Sequence, residues 1–387
     1  MSRRELLLAA AAGPRIRVSS VELIPVRATQ RTVWLFLRLR ADSGLSGLGE
    51  VSDAFGFANT TKEQASRMEA ELRAFAELAR GRSVFDIEAY LQRGHARAKA
   101  GGLMAATAYS GIEQALWDMV GKALGVPVHT MLGGAVRTEL PMYANINRAT
   151  NPRTPQGFAA AARRAVDEGY GAVKAAPWDG FPTSGNTRPA VELGIDCTRA
   201  IREAVGPGVK VMVDCHSFFT VDLARDVARR LEPFNLAWYE EPVAPERTAE
   251  TLEIRKSIRQ EMAGGEMLFG VAGFAPLCRS KAVDVIMPDV KHCGGLLEMT
   301  RIAAMASVDE VRVAPHNPAG PVSTAASVQV CAGMRNFEIL ELQWGEVPWR
   351  GDMLTPPERV ERGRLTVGDR PGFGVELNDK LSAEHRL

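Results

Sequence analysis

The sequence predicts an α/β protein in which a compact α+β domain precedes a (β/α)8 barrel, and three observations predict it. The first is length: 387 residues exceed what one hydrophobic core usually covers and fall short of three ordinary domains. The second is a change of period, from strands and turns over the opening segment to helical spacing up to Leu124. The third is a strand-then-helix alternation that begins after Gly133-Gly134 and runs almost to the C-terminus, as parallel βαβ units do.

Taken in order, residues 1–15 read as an N-terminal tail. Arg3-Arg4 ahead of an apolar stretch resembles a twin-arginine export signal, but that stretch is short and runs straight into Gly13-Pro14. A cytoplasmic location is therefore expected, with periplasmic export as the alternative. Residues 16–135 form the α+β domain. VELIPV and VWLFLRLR, followed by a Gly-rich turn at Gly44, Gly47 and Gly49 leading into EV, predict three antiparallel strands. From Thr61 on, Met68, Leu72 and Phe75 share one helical face, and Ile112, Leu116 and Met119 another. Residues 136–345 form the barrel, with strands ending near Asn145, Lys174, Asp214, Glu240, Glu266, Asp289, His316 and Glu341 and amphipathic helices between them, such as Leu223, Val227 and Leu231 on one face. Eight such units close a barrel. Residues 346–387 carry Pro and Gly and are expected to return to the first domain.

Composition narrows the function. Lys plus Arg number 47 against 46 Asp plus Glu, a net charge of +1 with no long block of either sign, which argues against nucleic acid or an anionic membrane as partner. A small uncharged-to-anionic metabolite is expected instead. The five cysteines are scattered, without a CxxC pair, as suits a reducing compartment. No apolar run reaches the roughly 20 residues that span a bilayer. Gly44, Gly47 and Gly49 do not form a strand–GxGxxG–helix unit, so dinucleotide binding is not expected.

The chemistry lies at the strand ends. Asp214, Glu240, Glu266, Asp289, His316 and Glu341 follow one another at about one βα unit each, and in a barrel all strands open on the same face, so these residues converge. Burying that many acids with few nearby cations is prohibitive unless a cation compensates them. Carboxylates without a cysteine cluster specify a hard ion such as Mg²⁺, with Asp214, Glu240 and Glu266 from three adjacent strands as the natural ligands.

The series VDCH, WYEEP, AGGE, MPDVKHCGG and APH, preceded by ALWDMVGKALGVPVHTMLGG and followed by NFEILE, resembles the mandelate racemase and muconate-lactonizing branch of the enolase superfamily over nearly the whole chain. The resemblance implies an α+β capping domain on a modified (β/α)8 TIM barrel. It implies Mg²⁺ held by Asp214, Glu240 and Glu266, and a His316–Asp289 dyad that abstracts the proton next to a substrate carboxylate. Glu240 rather than Glu241 is the ligand in that pattern. Glu341 could then donate a hydrogen bond to the substrate carboxylate, if it keeps its proton. Members are commonly symmetric assemblies, so a homo-oligomer is expected.

The second barrel strand, GAVKAAPWD, separates reaction types. Family racemases and cycloisomerases commonly carry K-x-K there; Lys174 matches the first lysine, whereas Ala176 stands in place of the second. Lys174 is left to contact a substrate carboxylate or to pair with a metal ligand. His216, two residues past Asp214, gives a D-x-H arrangement that resembles the galactonate-type sugar acid dehydratases, in which the histidine protonates the departing hydroxyl. A histidine that merely lines the mouth is the plainer reading. Dehydration of a sugar acid is thus the expected reaction, with a racemase, epimerase or cycloisomerase as the alternative and a non-catalytic descendant as a third. Asn145, Asn147 and His292 are candidates for substrate contacts, although His292 fits a surface role equally well. The turn at residues 29–32 and the loop at residues 52–59, with Phe55 and Phe57, are expected to reach over the barrel and select the substrate.

Overall fold

The computed structural model describes residues 16–57 and 60–387. The N-terminal tail with its arginine pair, Ala58 and Asn59 of the expected lid, and the Phe57 side chain lie outside the described residues. The first element is an antiparallel sheet in the order β1 (Val18–Arg27), β2 (Val33–Ala41) and β3 (Ser46–Glu50), followed by β4 (Ala54–Phe57). Helices α1 (Lys62–Ala76), α2 (Ile87–Ala100) and α3 (Gly102–Leu124) cover the sheet and bury Met68, Leu72, Phe75, Ile112, Leu116 and Met119 against it.

Of the three glycines expected in a turn, only Gly44 is in one; Gly47 and Gly49 are inside β3. The reason is the approach of α3. A Cβ at Gly47 would lie 2.1 Å from the Ala115 carbonyl oxygen, and one at Gly49 2.5 Å from that of Gly111. Gly47→Ala is therefore expected to lower stability by about 2 kcal/mol through overpacking, read as a lower midpoint in urea denaturation.

After α4 (Val128–Met131) come eight strands, β5 (Glu139–Asn145), β6 (Ala172–Ala175), β7 (Lys210–Asp214), β8 (Trp238–Glu240), β9 (Met262–Gly264), β10 (Val285–Ile286), β11 (Arg312–Val313) and β12 (Leu340–Gln343). They are parallel neighbours in that order, and β12 pairs with β5. The circle closes between β11 and β12 through the Val313–Phe337 bridge and a Glu341 N–H···Pro315 O contact of 3.4 Å. Seven helices lie between the strands: α5 (Pro155–Asp167), α6 (Arg188–Val205), α7 (Val221–Leu231), α8 (Thr248–Ser257), α9 (Gly270–Ser280), α10 (Leu296–Val308) and α11 (Pro321–Cys331).

After β12 the chain makes short strands instead of an eighth outer helix. The hairpin of β13 (Val360–Glu361) and β14 (Arg364–Thr366) joins the start of β5 antiparallel. The rest returns to the first sheet: Met353, Leu354 and Leu377 pack on Trp34 and Phe36, and Arg27 N–H donates to His385 O at 2.7 Å. No helix among the described residues is long and apolar enough to cross a membrane.

Carboxylates of the first domain fasten it to helix N-termini of the barrel. Glu50 accepts from Gly320 and Ser323 N–H at 2.6 and 2.8 Å, and Glu113 accepts from Leu296 and Leu297 N–H at 2.7 and 2.9 Å. Each carboxyl group accepts from N–H groups that the helix itself leaves unsatisfied, at the positive end of its dipole.

Candidate active site

Strand alternation builds the site. Tyr143, Ala172, Met212 and Trp238 fill the barrel interior as one apolar cluster. Two residues further along the same strands, on the same side of the pleat, stand Asn145, Lys174, Asp214 and Glu240. Asp214 and Glu240 are register partners on β7 and β8. The expected strand ends at Glu266, Asp289 and His316 lie two or three residues past the last ladder residue. Their sequences explain why: Gly265 takes a φ of +105°, and Pro288 and Pro315 have no N–H to donate. These three side chains are aimed from the loops that begin there.

Oxygen atoms of Asp214, Glu240 and Glu266 lie within 4.8 Å of one another, all buried. Glu240 Oε1 accepts from Lys174 Nζ at 2.7 Å and Oε2 from Trp238 Nε1 at 2.7 Å. Burial drives the Glu240 carboxyl up to about 8 and Glu266 well above the usual range, and the Asp214 charge adds to both. Glu266 Oε2 is buried, accepts no hydrogen bond and lies 3.2 Å from His316 Nε2. Three crowded carboxylates, one with a buried oxygen that accepts no hydrogen bond, are a donor set that fits a hard divalent cation.

The structure answers the question about Lys174. Its ammonium is fully buried, 2.7 Å from Glu240, 3.0 Å from Glu341 and 4.0 Å from Asp214. Burial opposes its charge, but Glu240 and Glu341 outweigh it and hold the group well above the ordinary lysine range. Lys174 is an ion-pair partner of these acids, and its ammonium also sits over the Tyr143 ring.

Glu341, expected as a donor, is an acceptor in this structure. It accepts from Asn145 Nδ2 at 2.7 Å and Asn317 N–H at 2.9 Å; burial pushes its carboxyl up, but Lys174 and His316 outweigh that and hold it below the usual range. Asn145 Oδ1 in turn accepts from Asn147 N–H at 3.0 Å, and Asn147 Oδ1 accepts from Ala176 N–H at 2.5 Å. Both asparagines line the cavity while bracing the strand ends.

His316 Nδ1 lies 2.7 Å from Asp289 Oδ2. The same carboxylate oxygen meets Lys291 Nζ at 2.5 Å, and Lys291, fully buried, outweighs burial to hold Asp289 well below the usual carboxylate range. His292 has no surface role: it is 0% exposed, with Nδ1 2.9 Å from Thr107 Oγ1 of α3. Burial lowers it to about 4, and its Nε2 lies 3.8 Å from Asp289 Oδ2, behind His316 rather than among the residues that line the cavity.

His216 is not carried by strand alternation, since β7 ends at Asp214 and His216 has a φ of +46°. Its Nε2 lies 2.9 Å from Asp214 Oδ2, its Nδ1 2.6 Å from Asp179 Oδ1. His216 and His316 line one cavity with Lys174, Asp214, Asp179, Arg31 and Arg148. Arg31 comes from the turn at residues 29–32, so that turn does reach the barrel mouth. Phe55 does not face the cavity; it packs on the first domain's own core with Arg67 over its ring.

Sequence reasoning missed Asp179, Arg31, Arg148, Arg153 and Lys291. Arg148 bridges Asp53 of the first domain at 3.2 Å and Glu346 past the last barrel strand at 3.4 Å. The only signal for Asp179 was an acid in a loop at the C-terminal end of a barrel strand, which is where such sites form.

Two family models match the chain: "Mandelate racemase / muconate lactonizing enzyme, N-terminal domain" over residues 15–133 and "Enolase C-terminal domain-like" over residues 157–381. A D-xylonate dehydratase of Haloferax volcanii is 30% identical over 94% of this chain and 89% of its own length. A D-gluconate/D-galactonate dehydratase of Picrophilus torridus is 30% identical over 90% and 87%. A D-galactarolactone cycloisomerase of Agrobacterium fabrum is 33% identical over 73% and 74%. Among solved structures, a mandelate racemase/muconate lactonizing enzyme from Sulfitobacter sp superposes with a TM-score of 0.86 at 27% identity, covering 96% of each chain.

Proposed function

The chain belongs to the enolase superfamily, in its mandelate racemase and muconate lactonizing branch, and on that premise we propose that it dehydrates a sugar acid to a 2-keto-3-deoxy acid. Residues 136–345 carry the chemistry, residues 16–135 cap it, and residues 346–387 tie the two together. Asp214, Glu240 and Glu266 would hold Mg²⁺. When bound, that ion supplies positive charge to offset the second negative charge that develops on the substrate carboxylate.

His316 Nε2 takes the proton from C2, and Asp289 holds the ring through Nδ1 and stabilises the imidazolium that results. The C2–H electron pair moves into the carboxylate as an enediolate. It then returns to form a C2–C3 double bond as the C3–O bond breaks, with the proton from His216 leaving on the hydroxyl as water. The enol tautomerises to the keto acid. Lys174 pairs with Glu240 and Glu341 and holds both carboxyl groups in place.

The observation that carries this reading is that His316 and His216 line the same cavity beside Asp214, while position 176 offers only a methyl group. Elimination needs one base and one acid, and two histidines supply them. The cycloisomerase relative favours a second reading, in which a base works from the side of Lys174. Against it, Lys174 is committed to Glu240 and Glu341.

A panel of mono- and diacid sugars incubated with protein and Mg²⁺, assayed with semicarbazide, tests the proposal. Keto-acid formation from at least one acid supports it; an epimer or lactone product without keto acid overturns it. Metal binding is read separately. Mg²⁺ at about 100 times its Kd should add about 2.7 kcal/mol to stability, seen as a raised Tm. Glu266→Gln should remove most of that rise.

A further inference from the structure

The histidine assigned here as general acid stands on backbone that no longer directs it. His216 and Ser217 have φ values of +46° and +60°, past the end of β7, so the strand does not fix where the imidazole points. A carboxylate does. Asp179, in the loop after β6, places Oδ1 2.6 Å from His216 Nδ1, and Phe218 meets the ring edge-on at 6.2 Å. That carboxylate is itself held. Its Oδ2 is 3.2 Å from Arg153, whose guanidinium also donates to Ala176 O at 2.6 Å and Asn147 O at 3.0 Å. Arg31 reaches the same oxygen from the capping turn at 3.6 Å.

The arrangement repeats that of the proposed base. His316 has Nδ1 on Asp289 at 2.7 Å and Nε2 3.2 Å from Glu266; His216 has Nδ1 on Asp179 and Nε2 2.9 Å from Asp214. A carboxylate on one ring nitrogen fixes the tautomer and aims the other nitrogen.

We infer that Asp179 is the positioning residue for His216, holding its Nε2 toward the departing hydroxyl as Asp289 holds that of His316. The inference rests on the proposed role of His216 as the acid. Arg153 and Arg31 act one step further out, so that the cap contributes to alignment of the acid.

Asp179→Ala tests this in the full-length protein, with dehydration and C2 proton exchange measured side by side. The expected result is a fall in kcat for keto-acid formation of at least about tenfold, with KM within about twofold and C2 exchange retained. Asp179→Glu should restore part of the loss. If the alanine variant fails to fold, Asp179→Asn, similar in size but without the charge, should give the same split. Equal losses of dehydration and exchange, or loss of neither, overturn the inference. His216→Asn separates the two levels. If it dehydrates at the wild-type rate, the acid assignment itself falls; if it loses dehydration while Asp179→Ala and Asp179→Asn keep it, only the role of Asp179 falls.

Discussion

His316→Asn is expected to abolish measurable C2 proton exchange and to lower keto-acid formation by roughly 100- to 10,000-fold. Asparagine fills similar space and can still reach Asp289, so the loss isolates the missing proton acceptor from any collapse of the site. The prediction follows from geometry: His316 Nε2 is turned toward Glu266 in the carboxylate cluster while Nδ1 is occupied by Asp289. Solvent exchange at C2, followed by NMR in D2O, is the direct measurement. Wild-type exchange in the variant would move the base elsewhere, and Lys174 would be the first residue to reconsider.

His216→Asn is expected to give a different signature. Loss of the acid should slow elimination of the C3 hydroxyl by about 100-fold or more, while His316 continues to remove and return the C2 proton. Substrate recovered from D2O should then carry deuterium at C2 with little keto acid formed. The two variants thus separate the two halves of one reaction. A His216→Asn protein that dehydrates normally would return His216 to the plainer role of lining the mouth. Its close contact with Asp214 would then be a structural one.

Much of this site was legible because a barrel converts spacing into proximity. Asp214, Glu240 and Glu266 are one βα unit apart, and such units end on one face, so the cluster could be read without coordinates. The His316–Asp289 pair was legible as a motif but not as strand ends, because Pro288 and Pro315 stop the ladders early. Lys174 and Glu341 were found at the right place: for Lys174 an ion pair with a metal-ligand acid was one of two open readings, whereas Glu341 was expected to donate and is seen accepting. Their pairing depends on which buried charges face one another across the barrel, and that is set by three-dimensional packing alone.

Residues that depend on contact between distant segments were not legible. Asp179, Arg31 and Arg153 meet from the loop after β6, the capping turn and the loop after β5, and no periodicity connects them. His292 was misplaced for the same reason: KHCGG reads as a polar loop until α3 lies across it. Gly47 and Gly49 look like turn residues in sequence, yet they are required by helix–strand contact. In each case the deciding term was tertiary packing, which outweighs local preference.

The central claim is that three carboxylates hold a cation between two histidines that together expel water. It is tested most directly by one incubation of the wild-type protein with a sugar acid and Mg²⁺ in D2O, followed by NMR of product and recovered substrate. The account predicts a 2-keto-3-deoxy acid carrying deuterium at C3, formed with Mg²⁺ and not after chelation. Substrate deuterated at C2 and converted to its epimer, with no keto acid at any time point, would contradict it.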